Sequence, residues 1–237
     1  RSAGVGIFLM DDVRAQMRLI TKSAPAAIHP FLSGRDLLNH QRFRDLFRYQ
    51  GLDPSLRLRL GSLTLLFTDL KGSTALYEAT GDITAYSVVR EHFQILLGAV
   101  RTHQGAVVKT MGDAVMASFS NPMDATRAAL SMLRGMAAVT QRVGQLGHHT
   151  GLKVGIHEGT ALAVANDDRL DFFGQTVNIA ARVQALADAD EVCVTARVMQ
   201  VPGVLALFHE HGYTATSSEV ELRGVGGRTE VFRFAAS

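Results

Sequence analysis

A chain of 237 residues, 47% hydrophobic and 19% charged, suits one large domain, or a domain with an appendage, around a packed core. Its N-terminal apolar run Val5–Met10 falls far short of the ~18 residues of a membrane span, and no signal-peptide pattern is present. The net charge of +2 hides an asymmetry: residues 1–60 carry ten Lys/Arg against five Asp/Glu, and residues 61–237 carry fourteen against seventeen, whereas a nucleic-acid module concentrates base in its folded body.

Cys193 is the only cysteine, which excludes an internal disulfide and fits a reducing, cytoplasmic setting. Its neighbours Val192 and Val194 point to a buried structural thiol. The chain opens on Arg1 rather than Met, so it is expected to belong to a longer protein.

In chain order, Asp11–Lys22 reads as a helix that Pro25 and Pro30 prevent from continuing. Arg35–Tyr49 reads as a second helix, ended near Gly51 and Pro54. The domain boundary is expected there, with residues 1–59 a helical or linker segment, the end of an upstream regulatory region, and 60–237 the main domain. Leu63–Phe67 is a nearly continuous apolar run, as in a buried strand. A helix over Ile83–His103 places Tyr86, Val89, Phe93, Leu96 and Val100 on one face. Two short runs flank Met111-Gly112-Asp113 as a hairpin. Asn121-Pro122 opens a helix with Ala125, Ala128, Met132, Met136, Val139 and Val143 on one side. Leu152–His157 reads as a strand with a partner at Ala161–Ala165, followed by a helix at Gln175–Ala187 and a strand at Glu191–Val194. A last hairpin turns at Gly224-Val225-Gly226-Gly227, and Phe232 and Phe234 share a face of its second strand. The order predicts an α+β fold: a ferredoxin-like βαββαβ core with additional C-terminal αβ elements, helices mainly on one face.

Three stretches carry chemistry. Phe67-Thr68-Asp69-Leu70-Lys71-Gly72-Ser73-Thr74 joins a strand-end carboxylate to a helix entrance. Gly72 permits close backbone approach, Ser73 or Thr74 can cap the helix, and free N–H groups there suit phosphate. Lys109 and Asp113 fall four apart across the hairpin tip of Val107-Val108-Lys109-Thr110-Met111-Gly112-Asp113. Two strand-end aspartates, Asp69 and Asp113, suit hard cations held against a polyphosphate. In Asp171-Phe172-Phe173-Gly174-Gln175-Thr176-Val177-Asn178-Ile179-Ala180-Ala181-Arg182, Asn178 and Arg182 share one helical face and suit a sugar oxygen and a phosphate. Each stretch alone also fits ordinary structure: a capping Asp, a surface Lys, a solvated Arg.

Taken together and in this order, FTDLKGST, VVKTMGD and DFFGQTVNIAAR resemble the class III adenylate/guanylate cyclase catalytic domain, over about Leu60–Phe234. The resemblance implies that Asp69 and Asp113 bind two divalent ions per site, Mg²⁺ or Mn²⁺, with the Leu70 carbonyl lending an oxygen. Those ions would bridge the triphosphate and activate the ribose 3′-hydroxyl. It makes Asn178 the ribose-orienting residue and Arg182 the residue that meets charge on the α-phosphate. Gly72, Ser73 and Thr74 would border the phosphates. Arg223 is the nearest match to a third phosphate-binding cation, with Arg228 competing. Lys109 and Asp171 match the purine-reading positions.

Lys109 donates where adenine N1 accepts, and Asp171 accepts where the 6-amino group donates; guanine reverses both. The expected reaction is therefore ATP to cyclic AMP and pyrophosphate. The resemblance also implies a homodimer with shared sites. One subunit would supply Asp69, Asp113 and the helix entrance, and the other Lys109, Asp171, Asn178 and Arg182. The alternatives are a guanylate cyclase and a catalytically silent nucleotide-binding module. An RNA-binding sheet is disfavoured because the paired aromatics of that module are missing. Glu158–Asn166 departs from the family's usual hairpin, Gln175 stands where Asn is common, and His157 reads as a packed strand residue. The nine histidines show no zinc-ligand spacing.

Overall fold

The computed structural model describes residues 36, 38–46, 57–145, 147–166 and 169–236. The predicted helix over Asp11–Lys22 lies outside them. In order come α1 (Gln41–Leu46), β1 (Arg57–Lys71), α2 (Ser73–Thr102), β2 (Ala106–Met111), β3 (Ala114–Phe119), α3 (Pro122–Gln145), β4 (Gly151–Asn166) and β5 (Arg169–Phe173). They are followed by α4 (Gln175–Leu186), β6 (Glu191–Thr195), α5 (Ala196–Met199), α6 (Val204–Glu210), β7 (Tyr213–Glu221) and β8 (Arg228–Ala236).

The strands form one sheet in the order β2-β3-β1-β4-β6-β8-β7, with β5 on the outer part of β4. The first four strands have the order and antiparallel pairing of the expected ferredoxin-like βαββαβ unit. The additional elements extend it: β6 joins β4 in parallel, and β8 and β7 follow antiparallel.

Central β1 feeds both faces because its side chains alternate. Leu66 and Leu70 enter a core shared with α2, α3 and α6, while Leu63, Leu65 and Phe67 enter a second core with α4 and the Leu38 segment. With both faces covered, Leu63–Phe67 reads as a nearly continuous apolar run. Helices α2 and α3 lie on the first face, and α4 covers the other. The predicted face of α3 is buried throughout, and Phe234 stacks on Phe208 with ring centroids 3.7 Å apart.

Three element boundaries differ from expectation. Helix α2 starts at Ser73 and kinks at Gly81 (φ 75°, ψ 163°), a backbone conformation that glycine adopts readily. Its buried stripe runs through Ala85, Val88, Val89, His92, Leu96 and Val100; Tyr86 is one position off that stripe and is 63% exposed. The helix expected over Arg35–Tyr49 is interrupted at Asn39-His40, where the buried Asn39 amide donates to Ser120 Oγ at 3.4 Å.

The third difference is β4, one continuous strand rather than a hairpin closing between His157 and Ala161. Glu158 and Gly159 keep pairing with Thr64 and Leu63, and the register resumes past a bulge at Ala161↔Leu60. The Glu158 carboxylate accepts the Ser62 hydroxyl at that bulge. The chain reverses only beyond Asn166, and β5 returns with Asp171 opposite Val164. Where β4 passes under α4, Gly155 touches helix backbone; a Cβ there would overlap Gln184.

His157 is buried, as expected of a packed strand residue, and its Nδ1 lies 2.8 Å from Thr195 Oγ1. Burial, aided by the positive charge of Arg197, pulls its pKa down to about 4. The folded value lies below the ordinary 6.5, so protonation favours the unfolded chain. Stability present at neutral pH is therefore lost as pH falls from about 6.5 toward about 4, on the order of 2–3 kcal/mol from this group. His157→Gln should flatten that slope in urea titrations at pH 7 and pH 5; an unchanged slope would contradict the assignment.

Candidate active site

At the end of β1 lies a cleft of about 830 Å³. Its lining includes Asp69, Leu70, Gly72, Ser73, Thr74 and Asp113, all named from sequence, together with Lys71, Lys153, Asp188 and Arg233. The acidic side is built by strand geometry. Asp69 follows Thr68, whose Oγ1 accepts the Val115 N–H at 3.1 Å and so ties the end of β1 to β3 just beyond the Gly112-Asp113 turn. Gly112 has φ 60°, the left-handed conformation that this two-residue turn requires.

Beneath the turn lies His92 of α2, fully buried, with Nε2 donating to the Asp113 carbonyl oxygen at 2.9 Å. Burial lowers its pKa against the opposing pull of Asp113 and Asp69. Sequence reading missed His92; the available signal was a polar side chain within the apolar stripe between Val89 and Leu96.

Helix α2 begins at Gly72 with φ 82° and no side-chain cap, contrary to the expected capping by Ser73 or Thr74. A side chain at Gly72 would collide with the His149 carbonyl oxygen, so the close turn requires glycine. Ser73, Thr74 and Ala75 border the cleft, and the uncapped first-turn amides leave donors for an anion.

The opposite wall is basic. Lys153 stands directly across from Asp69 in the β1–β4 ladder. Its Nζ reaches the Ala185 carbonyl at 3.4 Å, and Arg233 Nη2 donates to the Leu186 carbonyl at 2.8 Å, both at the negative C-terminal end of α4. Lys71 pairs with Asp188 and holds that carboxyl below its ordinary pKa. Lys153 was missed from sequence; its signal was one cation inside the apolar strand Leu152–Ile156.

The remaining named residues lie outside this cleft. Lys109 Nζ of β2 meets Asp171 Oδ2 of β5 at 2.7 Å, and Asp171 is only 7% exposed. Its other oxygen accepts the Phe172 N–H at 2.8 Å. Asn178 is exposed on α4. One turn later, Arg182 reaches the β7–β8 turn: a Cβ at Gly224 would sit 3.4 Å from its Nη2. Arg182 Nη1 is buried without a hydrogen-bond partner. Arg223 is exposed in the same turn beside Gly224, whereas Arg228 lies 3.8 Å from both Glu219 and Glu221. The chain thus carries two separate groups: acids with a helix entrance, and a donor–acceptor pair with an Asn and an Arg.

Among the described residues, no cluster of three or more His, Cys, Asp or Glu side chains forms a metal site. Apart from Asp188, which is paired with Lys71, the cleft offers the carboxylates of Asp69 and Asp113 and the Leu70 backbone, and Asp113 Oδ2 is buried without a hydrogen-bond partner. A bare buried carboxylate oxygen is costly until a positive charge meets it. Few, hard oxygen donors beside an anion cradle fit Mg²⁺-type ions, which complete their shells with water and substrate phosphate.

Known proteins resemble this chain in sequence and in fold. The family described as Adenylate and Guanylate cyclase catalytic domain matches residues 58–235. An adenylate cyclase of Mycosarcoma maydis is 31% identical over 179 residues, 67% of this chain and 7% of the relative's length. The adenylyl cyclase CyaB from P. aeruginosa superposes with a TM-score of 0.63 at 20% identity, covering 77% of this chain and 97% of that one. The guanylyl cyclase Cya2 superposes with a TM-score of 0.62 at 20% identity, covering 78% and 94%. The match spans nearly all of the described sheet and both groups of polar residues, and the chain belongs to the adenylate and guanylate cyclase catalytic-domain family.

Proposed function

We propose that this chain is an adenylate cyclase, converting ATP to 3′,5′-cyclic AMP and pyrophosphate in a homodimer whose two sites each span both subunits. The observation that carries the reading is the separation of the two polar groups within one chain. The Asp69–Asp113 cleft has phosphate-binding features and no base reader, while Lys109, Asp171, Asn178 and Arg182 lie outside it. A two-fold axis that sets each group of one subunit against the other group of its partner completes both sites at once.

In such a site Asp69, Asp113 and the Leu70 carbonyl would hold divalent cations. When bound, these ions supply Lewis-acid activation of the 3′-hydroxyl and neutralise phosphate charge. Lys153 and the first-turn amides of α2 bind the outgoing phosphates. Asn178 of the partner subunit orients the ribose, so that the 3′-oxygen attacks the α-phosphorus in line and pyrophosphate leaves. Arg182 of the partner subunit meets the charge that develops on the α-phosphate. Its unpartnered Nη1 supports that role, because a buried cationic donor is then free for an incoming anion. Arg223, exposed beside it, is favoured over the ion-paired Arg228 as a further phosphate contact.

Lys109 and Asp171 present one donor and one acceptor at hydrogen-bond spacing, the complement of an adenine edge. They satisfy each other in the free chain and exchange that bond for the base. Mismatched buried donors and acceptors cost up to about 10⁴ in discrimination, which favours ATP over GTP. Residues 1–59 are proposed to be the end of an upstream regulatory region.

The assay is cyclic-product formation from ATP or GTP with Mg²⁺ or Mn²⁺. ATP turnover exceeding GTP turnover is expected; the reverse would establish a guanylate cyclase, and neither a silent module. Asp113→Asn should lower turnover by about 10³-fold while leaving Tm unchanged or higher, because it removes the negative charge from an unpartnered carboxylate. Full activity in that variant would remove Asp113 from the site. Lys153→Ala should raise the KM for ATP by roughly 10-fold or more, the worth of one charge-assisted hydrogen bond to phosphate. An unchanged KM would place the triphosphate elsewhere.

A further inference from the structure

We infer that Arg44 is a positioning residue for base selection, holding β5 and the Asp171 carboxylate in the attitude that favours ATP over GTP. The inference rests on the adenylate cyclase reading and extends it to a residue outside the family match, which begins at residue 58. It concerns the segment before the catalytic domain, which thereby holds the two residues that flank Asp171.

Arg44 lies on α1 and grips both neighbours of Asp171. Its Nη2 donates to the Leu170 carbonyl at 2.5 Å, and its guanidinium carbon lies 5.3 Å from the centroid of the Phe172 ring. Nη1 donates to the Leu38 carbonyl at 3.3 Å, so the same group fastens its own segment. That segment is anchored on the sheet: the Val107 N–H donates to Gln41 Oε1 at 2.8 Å, one residue pair before Lys109, and Leu38 is 4% exposed. Among the described residues β5 pairs only with β4, so the strand carrying Asp171 has a single backbone neighbour. Arg44 supplies its second hold.

Electrostatics adds to the mechanical tie. Burial pulls the Arg44 pKa down to about 10, and Asp171 is the foremost charge pulling it back, so the side chain is cationic at neutral pH and lies in the field of Asp171. When adenine takes the Lys109 donor for N1, the Lys109–Asp171 pair must open. Asp171 then loses its closest cation while it stays nearly enclosed. Arg44 and the Phe172 N–H remain, so Asp171 persists as a directed acceptor for the 6-amino group. Guanine presents an acceptor there and gains nothing from a fixed carboxylate. Loosening Asp171 therefore costs ATP more than GTP.

The test compares wild type, Arg44→Met and Arg44→Lys, with and without Asp171→Asn, measuring kcat and KM for both nucleotides and the Mg²⁺ dependence. Arg44→Met is expected to lower the ATP:GTP ratio of kcat/KM by about 10-fold, through KM for ATP, with Mg²⁺ activation unchanged. Arg44→Lys should recover part of the loss, and in the Asp171→Asn background Arg44→Met should leave the ratio where it is. An unchanged ratio with kcat reduced equally for both nucleotides, or equal effects with and without Asp171, would overturn the assignment. A wild type that cyclises no ATP would defeat the adenylate cyclase reading itself. Crystal structures of wild type and Arg44→Met then read the positioning directly: displaced β5 and a broken Lys109–Asp171 contact support it, and an unmoved pair refutes it.

Discussion

Hydrogen bonding of β1 to β3 on one side and to β4 on the other is the constraint on which the rest depends. That pairing sets Asp69 between two neighbours chosen by register alone. Across β4 stands Lys153, and across β3 lies the tight turn with Asp113. A slip of one residue would turn Leu63, Leu65 and Phe67 out of one core and Leu66 and Leu70 out of the other. The cores enforce the register, and the register places the acids. The Thr68 hydroxyl and the His92 imidazole then fix the local details of the same corner.

A consequence is that neighbours in sequence serve different ends. Lys109 and Asp113 flank one hairpin tip, yet Lys109 reaches across the sheet to Asp171 while Asp113 lines the cleft with Asp69. Strand alternation and the Gly112 turn send the two side chains apart. Each half is electrically incomplete by itself: Asp113 Oδ2 lacks a donor, and Arg182 Nη1 lacks an acceptor. Unsatisfied groups of opposite character in separate parts of one chain are what a shared, two-fold site uses.

Periodicity and turn chemistry disclosed much of this. The apolar stripe of α3, the buried run of β1 and the glycine turn before Asp113 all read correctly because each is a local pattern. The α2 register failed at Tyr86, since one exposed aromatic can imitate a core position. The β4 hairpin failed because Gly159 resembles a turn glycine, whereas it clears space for Thr176 above the sheet. Lys153, His92, Arg233 and Arg44 were missed for a different reason. Each acts through a partner far away in the chain, and a lone charge in a strand or helix carries no spacing to identify it.

The central claim is that one chain's acids work with another chain's Asn178 and Arg182. Mixing two inactive variants, Asp113→Asn and Arg182→Ala, tests it most directly. Random reassociation makes half of the dimers mixed, each with one intact and one doubly damaged site, so activity should return to about a quarter of wild type. A mixture that forms mixed dimers and still makes no cyclic product would contradict the shared site.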